Sequence, residues 1–417
     1  MTQRLFGTIF AVLSVLFFVL STLKPIGETI SVQADADTNS DKTVVAMQNM
    51  DFIEYKPLNF AQMKAMWFAF FDYTDMLCGK SKQEFEDEVL QRFSNAKDLG
   101  VNTLFVHVRS HGDAYYPSQY FPYAQRCTGI IGQAPDFDPL EIMVDIAHEL
   151  DLSFHAWVNP LRLMTVEQMS LLSNDCIPKQ WYNNPQYKGK YIVEFDGLLY
   201  LNPAYDDVRN LVCDGIDEII SNYNVDGVHI DDYFYPTIDA SFDSIAFEES
   251  NSESLDAWRY ENTNSLVADI YTTVKNHDRR LQFGISPAAA DSVNAGVYAD
   301  VNYWIENSLC DYIVPQIYFE YANETNPFDT VLQNWKHKTE NSKVKLVIGI
   351  CTYKYASDKA EWSDDTLSMR QCSQVLNDKA LSGVALYSYS ATFLPQQDAE
   401  LYARVRENIK SVLYKEG

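Results

Sequence analysis

The feature that most constrains the fold is a regular alternation of strand-like and helix-like segments from residue 60 onward. Short apolar runs rich in β-branched and aromatic residues are each followed by a run with the helical spacing of apolar residues. The predicted strands cover 66–71, 102–108, 152–158, the start of 226–236, 282–286, 311–318, 345–350 and 383–388. The predicted helices cover 82–99, 139–150, 204–223, 254–275, 301–307, 328–340, 364–378 and 397–412. Eight strand–helix pairs predict an α/β fold, a (β/α)8 TIM barrel.

The lengths of the connections indicate which end of this barrel carries a site. Long segments follow predicted strands two, three, four and five, whereas the helix-to-strand turns are short. Segments that follow barrel strands lie on the C-terminal face, where active sites are built. We therefore expect one barrel domain over 59–417 with long loops on its C-terminal face. A doubly wound open sheet is the alternative, but no glycine-rich phosphate-binding loop follows the first strand.

The fourth strand leads into the most distinctive stretch, DGVHIDDYFYP at 226–236, which carries two adjacent carboxyls. Because side chains alternate along a strand, Asp231 should face the barrel mouth with His229 one layer below, while Asp232 starts outward. The same count points Arg109 inward on strand two. We therefore expect Arg109 to keep Asp231 ionised, as a nucleophile or cation stabiliser. Glycoside cleavage usually needs two carboxyls, so Asp232 is the second catalytic candidate, unless it orients Asp231 or holds a substrate hydroxyl.

Other strand ends place polar and aromatic side chains around this acidic pair. Such an inward set is too polar for a barrel that only packs, and it resembles a sugar site with aromatic walls. The inward candidates are Arg109, Trp157, Asn159, His229, Gln316, Tyr318 and Tyr387, with Tyr233 beside the pair and Asp113 in the loop after strand two. Asp113, Glu306 and Glu320 are further candidates for the catalytic acid.

Each of these features also has a purely structural interpretation. The acidic pair could cap a turn, although the next helical pattern begins about twenty residues later. His107, His155 and His229 could be hydrogen-bonded core residues. As metal ligands they lack a His-x-His pair, so we expect no metal site and no cofactor. The tyrosines could pack in the core instead of stacking on sugar rings.

Charge and the N-terminus restrict partners and location. The net charge is -26, which disfavours nucleic acid and anionic membrane surfaces as partners. Arg4 precedes an apolar run, and the small residues Ala34-Asp35-Ala36 follow it. This pattern predicts a signal peptide at 1–36, or an uncleaved anchor, and then a polar linker at 37–58. We expect an exported, extracellular or cell-surface protein, monomeric, whose only membrane attachment is through the N-terminal segment.

Seven motifs in order carry a resemblance to a known family. They are VNTLFVHVRSHGDAYYPSQYFP, FHAWVNPLR, LYLNPAYDDVRN, DGVHIDDYFYP, SLDAWRYEN, FGISP and DYIVPQIYF. Together they resemble the bacterial family-10-like glycosyl hydrolases over about residues 60–390. The resemblance implies a TIM barrel, export and glycoside hydrolysis. It implies site positions at Arg109, Asp113, Asn159, Asp231, Asp232, Trp258, Arg259, Asn262, Gln316 and Tyr318.

The expected function is therefore hydrolysis of O-glycosyl bonds in a polysaccharide by carboxylate acid/base catalysis. A division-associated member of the family that is similar to this chain implies a bacterial cell-wall substrate, the peptidoglycan glycan strand without stem peptides. A non-catalytic carbohydrate-binding barrel and a metal-dependent hydrolase are the alternatives. A chitinase-type barrel would need a glutamate acid at position 233, where this chain has Tyr233.

Overall fold

The structure is a computed structural model that describes residues 55–355, 357, 360–395 and 398–414. The predicted signal peptide or anchor at 1–36 lies outside the described residues, as does the predicted linker up to residue 54.

Eight parallel strands form a closed barrel, which confirms the predicted fold. The barrel closes in the order β1-β11-β10-β9-β8-β7-β3-β2, so strands that are neighbours in sequence mostly pair in space. The strands in chain order are β1 (Met63–Phe68), β2 (Thr103–Arg109), β3 (Ser153–Val158), β4 (Arg162–Thr165), β5 (Ile192–Phe195), β6 (Leu198–Leu201), β7 (Gly227–Ile230), β8 (Gln282–Ile285), β9 (Tyr312–Ile313), β10 (Lys345–Cys351) and β11 (Gly383–Tyr387).

The helices follow the strands and cover the barrel from outside. They are α1 (Tyr73–Met76), α2 (Lys82–Leu99), α3 (Gln125–Thr128), α4 (Pro139–Glu149), α5 (Val166–Leu171), α6 (Ile177–Asn183), α7 (Asp206–Asn222), α8 (Ser244–Ser250), α9 (Leu255–His277), α10 (Asp291–Gly296), α11 (Val301–Glu306), α12 (Phe328–Thr339), α13 (Leu367–Leu376), α14 (Tyr389–Phe393) and α15 (Ala399–Leu413). Short 3-10 helices span Phe70–Asp72 and Ala360–Ser363.

Local sequence signals explain why the long helices begin and end where predicted. In α2, the Ser81 side chain accepts a hydrogen bond from the Glu84 amide, and the Glu84 carboxylate accepts one from the Ser81 amide. Gly100 then ends the helix in the left-handed conformation. The sixth barrel strand is shorter than predicted, since only Tyr312–Ile313 joins the ladder. Pro315 follows and has no amide hydrogen to continue it.

A three-stranded antiparallel sheet within the segment after β3 was not predicted. It has the order β4-β6-β5, and Arg162 of β4 lies opposite Tyr200 of β6. The segment that the sequence showed only as long and aromatic-rich is therefore a folded unit beside the barrel.

The core has two layers, separated by the barrel wall. Inside the barrel, aromatic and aliphatic side chains from alternate strand positions pack together, among them Trp67, Phe105, Trp157 and Tyr312. The larger layer fills the space between the strands and the helices. Gly284 is required inside, because a Cβ there would lie 1.9 Å from the Tyr312 ring.

The start of the described chain is fixed to the barrel through Asp226, at the N-terminal end of β7. Asp226 is fully buried and accepts hydrogen bonds from Tyr55 Oη, the Leu58 amide and the Phe154 amide, the last at 2.6 Å. His148 Nε2 lies 3.1 Å from its other side. One carboxylate thus joins the N-terminal segment, β3 and β7 at the barrel end opposite the long loops.

We expect Asp226→Ala to lower the free energy of unfolding by about 2–4 kcal/mol, because it leaves the buried Phe154 amide without an acceptor. Urea unfolding followed by circular dichroism measures this. Glu86→Ala, which removes a surface ion pair with Lys82, is the control and should change the value by less than about 1 kcal/mol. Equal effects of the two substitutions would contradict the structural role given to Asp226.

Candidate active site

The acidic pair lies where β7 ends at the C-terminal mouth of the barrel. Asp231 follows the inward His229 by two positions and lies beside the indole of Trp157. It is 4% exposed, and its Oδ1 has no hydrogen-bond partner. The Trp157 Nε1 is likewise buried without a partner. The strand therefore presents to the mouth a carboxyl with one oxygen that accepts no hydrogen bond from the protein.

The environment of Asp231 favours its protonated form. Burial raises the pKa of Asp231 well above its usual range, and the adjacent carboxyl of Asp232 raises it further. The Tyr233 amide and the Trp157 indole oppose the shift. The expectation of an ionised Asp231 is therefore wrong, because no arginine of the described residues is among the groups that shift its pKa. A carboxyl that keeps its proton is suited to donating it.

Asp232 is more accessible than Asp231 and has a polar neighbour. Burial raises the pKa of Asp232, while a hydrogen bond with the Gln316 amide lowers it. Gln316 also donates from Nε2 to the Ser286 carbonyl at 3.1 Å, which fixes its orientation. The structure thus brings the two predicted catalytic carboxyls and the predicted Gln316 together.

Tyrosines form one wall of the mouth. Tyr387 stacks on Tyr318 with ring centroids 5.7 Å apart, and Tyr353 meets both rings edge-on at 6.1 Å. Burial raises the pKa of Tyr387, and the charges of Tyr233 and Asp231 raise it further, so these two groups lie near its hydroxyl. Tyr233 and Tyr353 are each 47% exposed, and these two open rings are available to a sugar.

Asn159 and His107 complete the opposite side. His107 stacks on Trp157 with centroids 3.3 Å apart, and Asn159 donates from Nδ2 to the Ser110 carbonyl at 3.0 Å. The Oδ1 of Asn159 and the Nε2 of His107 are buried without full hydrogen bonds. Burial lowers the pKa of His107 well below its usual value, so the ring is neutral.

Tyr353 and Arg162 are mouth residues that the sequence reasoning missed. Arg162 lies in the motif FHAWVNPLR, and its guanidinium lies 5.0 Å from the centroid of the Tyr233 ring. It lies four residues beyond the end of β3, outside the side-chain alternation that was counted along that strand. Tyr353 follows β10, where attention to carboxylates alone overlooked an exposed ring.

Arg109 does not reach the mouth. The pairing of β2 with β3 shifts between His107 and Arg109, and this irregularity reverses the side-chain alternation. The Arg109 guanidinium lies 4.4 Å from the centroid of the Phe121 ring. It also lies against α7, since a Cβ on Gly215 would be 2.6 Å from Arg109 Nη1. Burial lowers the pKa of Arg109 to about 10. The inward position predicted for Arg109 is therefore wrong, and its place is between β2 and α7.

Asp113 organises the loop that follows β2. Its Oδ1 accepts hydrogen bonds from the Ser110 amide at 2.9 Å and the His111 amide at 2.8 Å. The side chain is 8% exposed. This arrangement holds the turn that leads away from the strand.

Three residues predicted from the SLDAWRYEN motif support the loop after β7 from behind. Arg259 is fully buried, pairs with Asp243 through Nε and Nη2, and donates from Nη2 to the Asp239 carbonyl at 2.8 Å. Asn262 donates to Tyr235 Oη at 3.2 Å. Trp258 packs on Phe247. These contacts order the chain between the acidic pair and α9, and they do not place the three side chains in the mouth.

His229 belongs to the layer below the mouth. It accepts from Trp67 Nε1 at 3.2 Å, bonds to Tyr312 Oη and stacks on Phe105 with centroids 4.1 Å apart. Burial lowers its pKa well below the usual value. These contacts place His229 as a packed neutral residue that supports the floor under Asp231.

The remaining acidic candidates lie elsewhere. Glu320 accepts from Trp362 Nε1 at 3.0 Å and from Asn323 Nδ2 at 3.1 Å, and Glu306 is exposed at the end of α11. A different carboxyl, Asp72 after β1, was not predicted. It is 4% exposed beside a groove of about 720 Å³ that shares Tyr353 and Tyr387 with the mouth. Burial raises the pKa of Asp72 to about 6.

Within the described ranges, no group of three His, Cys, Asp or Glu side chains is arranged to hold a metal ion. In the same part of the chain, no helix combines the length and apolar character needed to cross a membrane.

A closed barrel with a carboxyl pair at its C-terminal mouth and tyrosines beside it defines the chain as a TIM barrel of the glycoside hydrolase class. The family profile described as Glycosyl hydrolase-like 10 matches residues 62–364. The chain belongs to this family, as the resemblance of its motifs implied.

Curated relatives carry glycosyl hydrolase names. The chain is 32% identical over 337 residues to Glycosyl hydrolase YngK of Bacillus subtilis, an alignment that covers 74% of this chain and 64% of the relative. It is 30% identical over 290 residues to Glycosyl hydrolase DigH of Escherichia coli K12, covering 64% of this chain and 66% of the relative. The chain thus spans just under two thirds of each relative.

Solved structures with little sequence identity share the fold. The glycoside hydrolase domain of PgaB from Bordetella bronchiseptica aligns with a TM-score of 0.54 at 10% identity, covering 86% of this chain and 100% of that domain. The catalytic domain of β-amylase from Paenibacillus polymyxa aligns with a TM-score of 0.53 at 9% identity, covering 84% and 98%.

We expect Asp231→Asn to stabilise the folded protein, and more so at pH 8 than at pH 5. The raised pKa means that the folded state holds this proton more tightly than the unfolded state. Stability is therefore lost as pH rises from the ordinary aspartate pKa through the folded pKa, and asparagine cannot ionise. Urea unfolding at both pH values measures the difference.

Asp278→Asn is the matched control for this experiment. A hydrogen bond with Arg280 lowers the pKa of Asp278, so its contribution is present above the unfolded pKa and is lost in acid. That variant should gain no stability at pH 8. A destabilised Asp231→Asn at pH 8 would show that the carboxylate is held by partners that the structure does not show.

Proposed function

We propose that this protein hydrolyses O-glycosyl bonds in the glycan of the bacterial cell wall, with peptidoglycan strands that lack stem peptides as substrate. The observation that carries the proposal is the buried Asp231 beside the more accessible Asp232, at a barrel mouth flanked by the open rings of Tyr233 and Tyr353. Family membership supports the reaction class, and the motif resemblance supports the wall substrate.

The two carboxyls suit different parts of the reaction. The raised pKa of Asp231 favours its protonated form, which can donate the proton to the departing glycosidic oxygen as general acid. Asp232 is the second carboxyl, which stabilises the positive charge at the anomeric carbon or activates the attacking group. Trp157 lies beside Asp231, and Gln316 lies beside Asp232.

The tyrosines and the N-terminus fit the same function. Exposed aromatic faces stack on the apolar faces of sugar rings, while buried polar groups without full hydrogen bonds, such as Asn159 Oδ1, accept from hydroxyls. The basic residue, apolar run and small residues of 1–36 support export, as a secreted or surface-anchored monomer. An exported enzyme meets wall polysaccharide directly.

We expect Asp231→Asn to reduce turnover by about 10³-fold or more, and Asp232→Asn by about 10²-fold or more, because each removes a group that acts on the reacting atoms. The full-length protein is incubated with denuded glycan strands, intact sacculi, chitin oligomers and plant or host glycans, and products are identified by mass spectrometry. Glu306→Gln, an exposed carboxyl at the end of α11, is the control and should retain activity.

Full activity of both aspartate variants would refute the assignment of the site. If the unmodified protein binds glycan without turnover, the barrel is a carbohydrate-binding module and the hydrolase proposal fails. If it cleaves chitin oligomers but not denuded strands, the reaction class stands and the wall substrate falls.

A further inference from the structure

Arg162 lies at the rim of the mouth, next to the acidic pair. It begins β4, opposite Tyr200 in the small sheet, and its guanidinium lies over the Tyr233 ring at 5.0 Å. Tyr233 directly follows Asp232 in the chain. Any substrate held at the carboxyls therefore passes close to this cation.

The charge of Arg162 is not engaged in an ion pair within the described part of the chain. The arginine ion pairs there involve Arg92, Arg209, Arg259, Arg280, Arg370 and Arg404. Arg162 forms none, and its Nε is buried without a hydrogen-bond partner. A partly desolvated guanidinium gains most from a carboxylate, which its fork-like donors match in geometry.

A second cation without an ion pair among the described residues lies on the same rim. Arg126 donates to Thr74 and lies 5.2 Å over the Phe70 ring, again with no ion pair among the described residues. Burial lowers the pKa of His111 and the charges of both arginines lower it further, so His111 is near both. We call Arg162, His111 and Arg126 the basic rim.

The state of His111 limits the charge of the basic rim. Burial lowers the pKa of His111 to about 4, although the carboxyl of Asp113 opposes this. At neutral pH the ring is therefore neutral, and the positive charge comes from the two arginines. Asp113 is committed through Oδ1 to the Ser110 and His111 amides.

The site has room for a substituent of a sugar. A hollow of about 390 Å³ borders the basic rim, lined by His111, Asp113, Arg126, Met164 and Gln168. Met164 belongs to β4 with Arg162. The hollow therefore borders β4, the strand that also carries Arg162.

The net negative charge of the chain bears on which substrates the arginines of the basic rim would favour. A chain with a net charge of -26 repels acidic polymers at long range. Arginines at the mouth offset this repulsion locally for an acidic glycan, whereas a neutral glycan meets no such repulsion.

From the basic rim we infer that Arg162, assisted by Arg126, binds a carboxylate carried by a sugar of the substrate, so that the enzyme selects acidic glycans over neutral ones of the same backbone. This inference rests on the proposed function and adds to it a residue that determines specificity.

The test compares one glycan in two forms. Denuded glycan strands are used as such, and after carbodiimide coupling of their carboxyls to methylamine, which removes the charge and keeps the backbone. The unmodified protein, Arg162→Gln and Arg162→Lys are each measured for binding by calorimetry and for KM and kcat by product release. Arg404→Gln, which removes an exposed arginine that pairs with Asp365, controls for net charge.

We expect Arg162→Gln to raise Kd and KM for the carboxylate glycan by about 10- to 100-fold, with little change in kcat and little change on the amidated glycan. Arg162→Lys keeps the charge and should recover part of the loss. The unmodified protein and Arg404→Gln should both prefer the carboxylate form.

Two outcomes overturn the inference and leave the proposed function standing: cleavage of both glycans without preference, or equal losses on both in Arg162→Gln. A carboxylate preference in binding that Arg162→Gln abolishes, without any cleavage, supports the inference and refutes the hydrolase. Absence of both binding and cleavage refutes both.

Discussion

The alternation of side chains along a closed parallel barrel is the constraint on which the site depends. Odd positions of β2, β3 and β7 point inward, which stacks His107 on Trp157 and places His229 under Asp231. Because the barrel is closed, these inward residues can only meet one another. A single irregularity in β2 is enough to move Arg109 from this set into the layer beneath α7.

This constraint also explains how much could be predicted from the sequence. The eight strands, the helices and the inward position of Asp231 depend on local periodicity, so they could be read from short windows. The sheet formed by β4, β6 and β5 depends on pairing between residues about forty positions apart, as between Arg162 and Tyr200. Nothing local indicated that pairing, and with it the rim arginine was missed. A bulge that shifts one residue has no sequence signature here either.

Family motifs combine residues of two kinds, which only the structure separates. The motifs around Asp231 and Gln316 place side chains at the mouth. The motif around Arg259 does not, because that guanidinium is used by Asp243, by loop carbonyls and by Tyr298 Oη. Such a residue holds the loop that carries the acidic pair, and it is a positioning residue. A motif therefore identified the region of the chain that matters without saying which of its atoms meet substrate.

The electrostatics of the mouth follow from the same geometry. With Arg109 turned away, Asp231 is left among Trp157, Tyr387 and Asp232, and burial makes its neutral form the stable one. The positive charge that was expected beside this carboxyl lies instead at Arg162, over the Tyr233 ring. The largest effects on the pKa of Asp231 are burial and Asp232, and Arg162 is absent from its main causes. Because Arg162 and Asp231 are separate, Asp231 can keep its proton and Arg162 remains free to bind an anion. If Arg162 paired directly with Asp231, that carboxyl would ionise and neither group could act in this way.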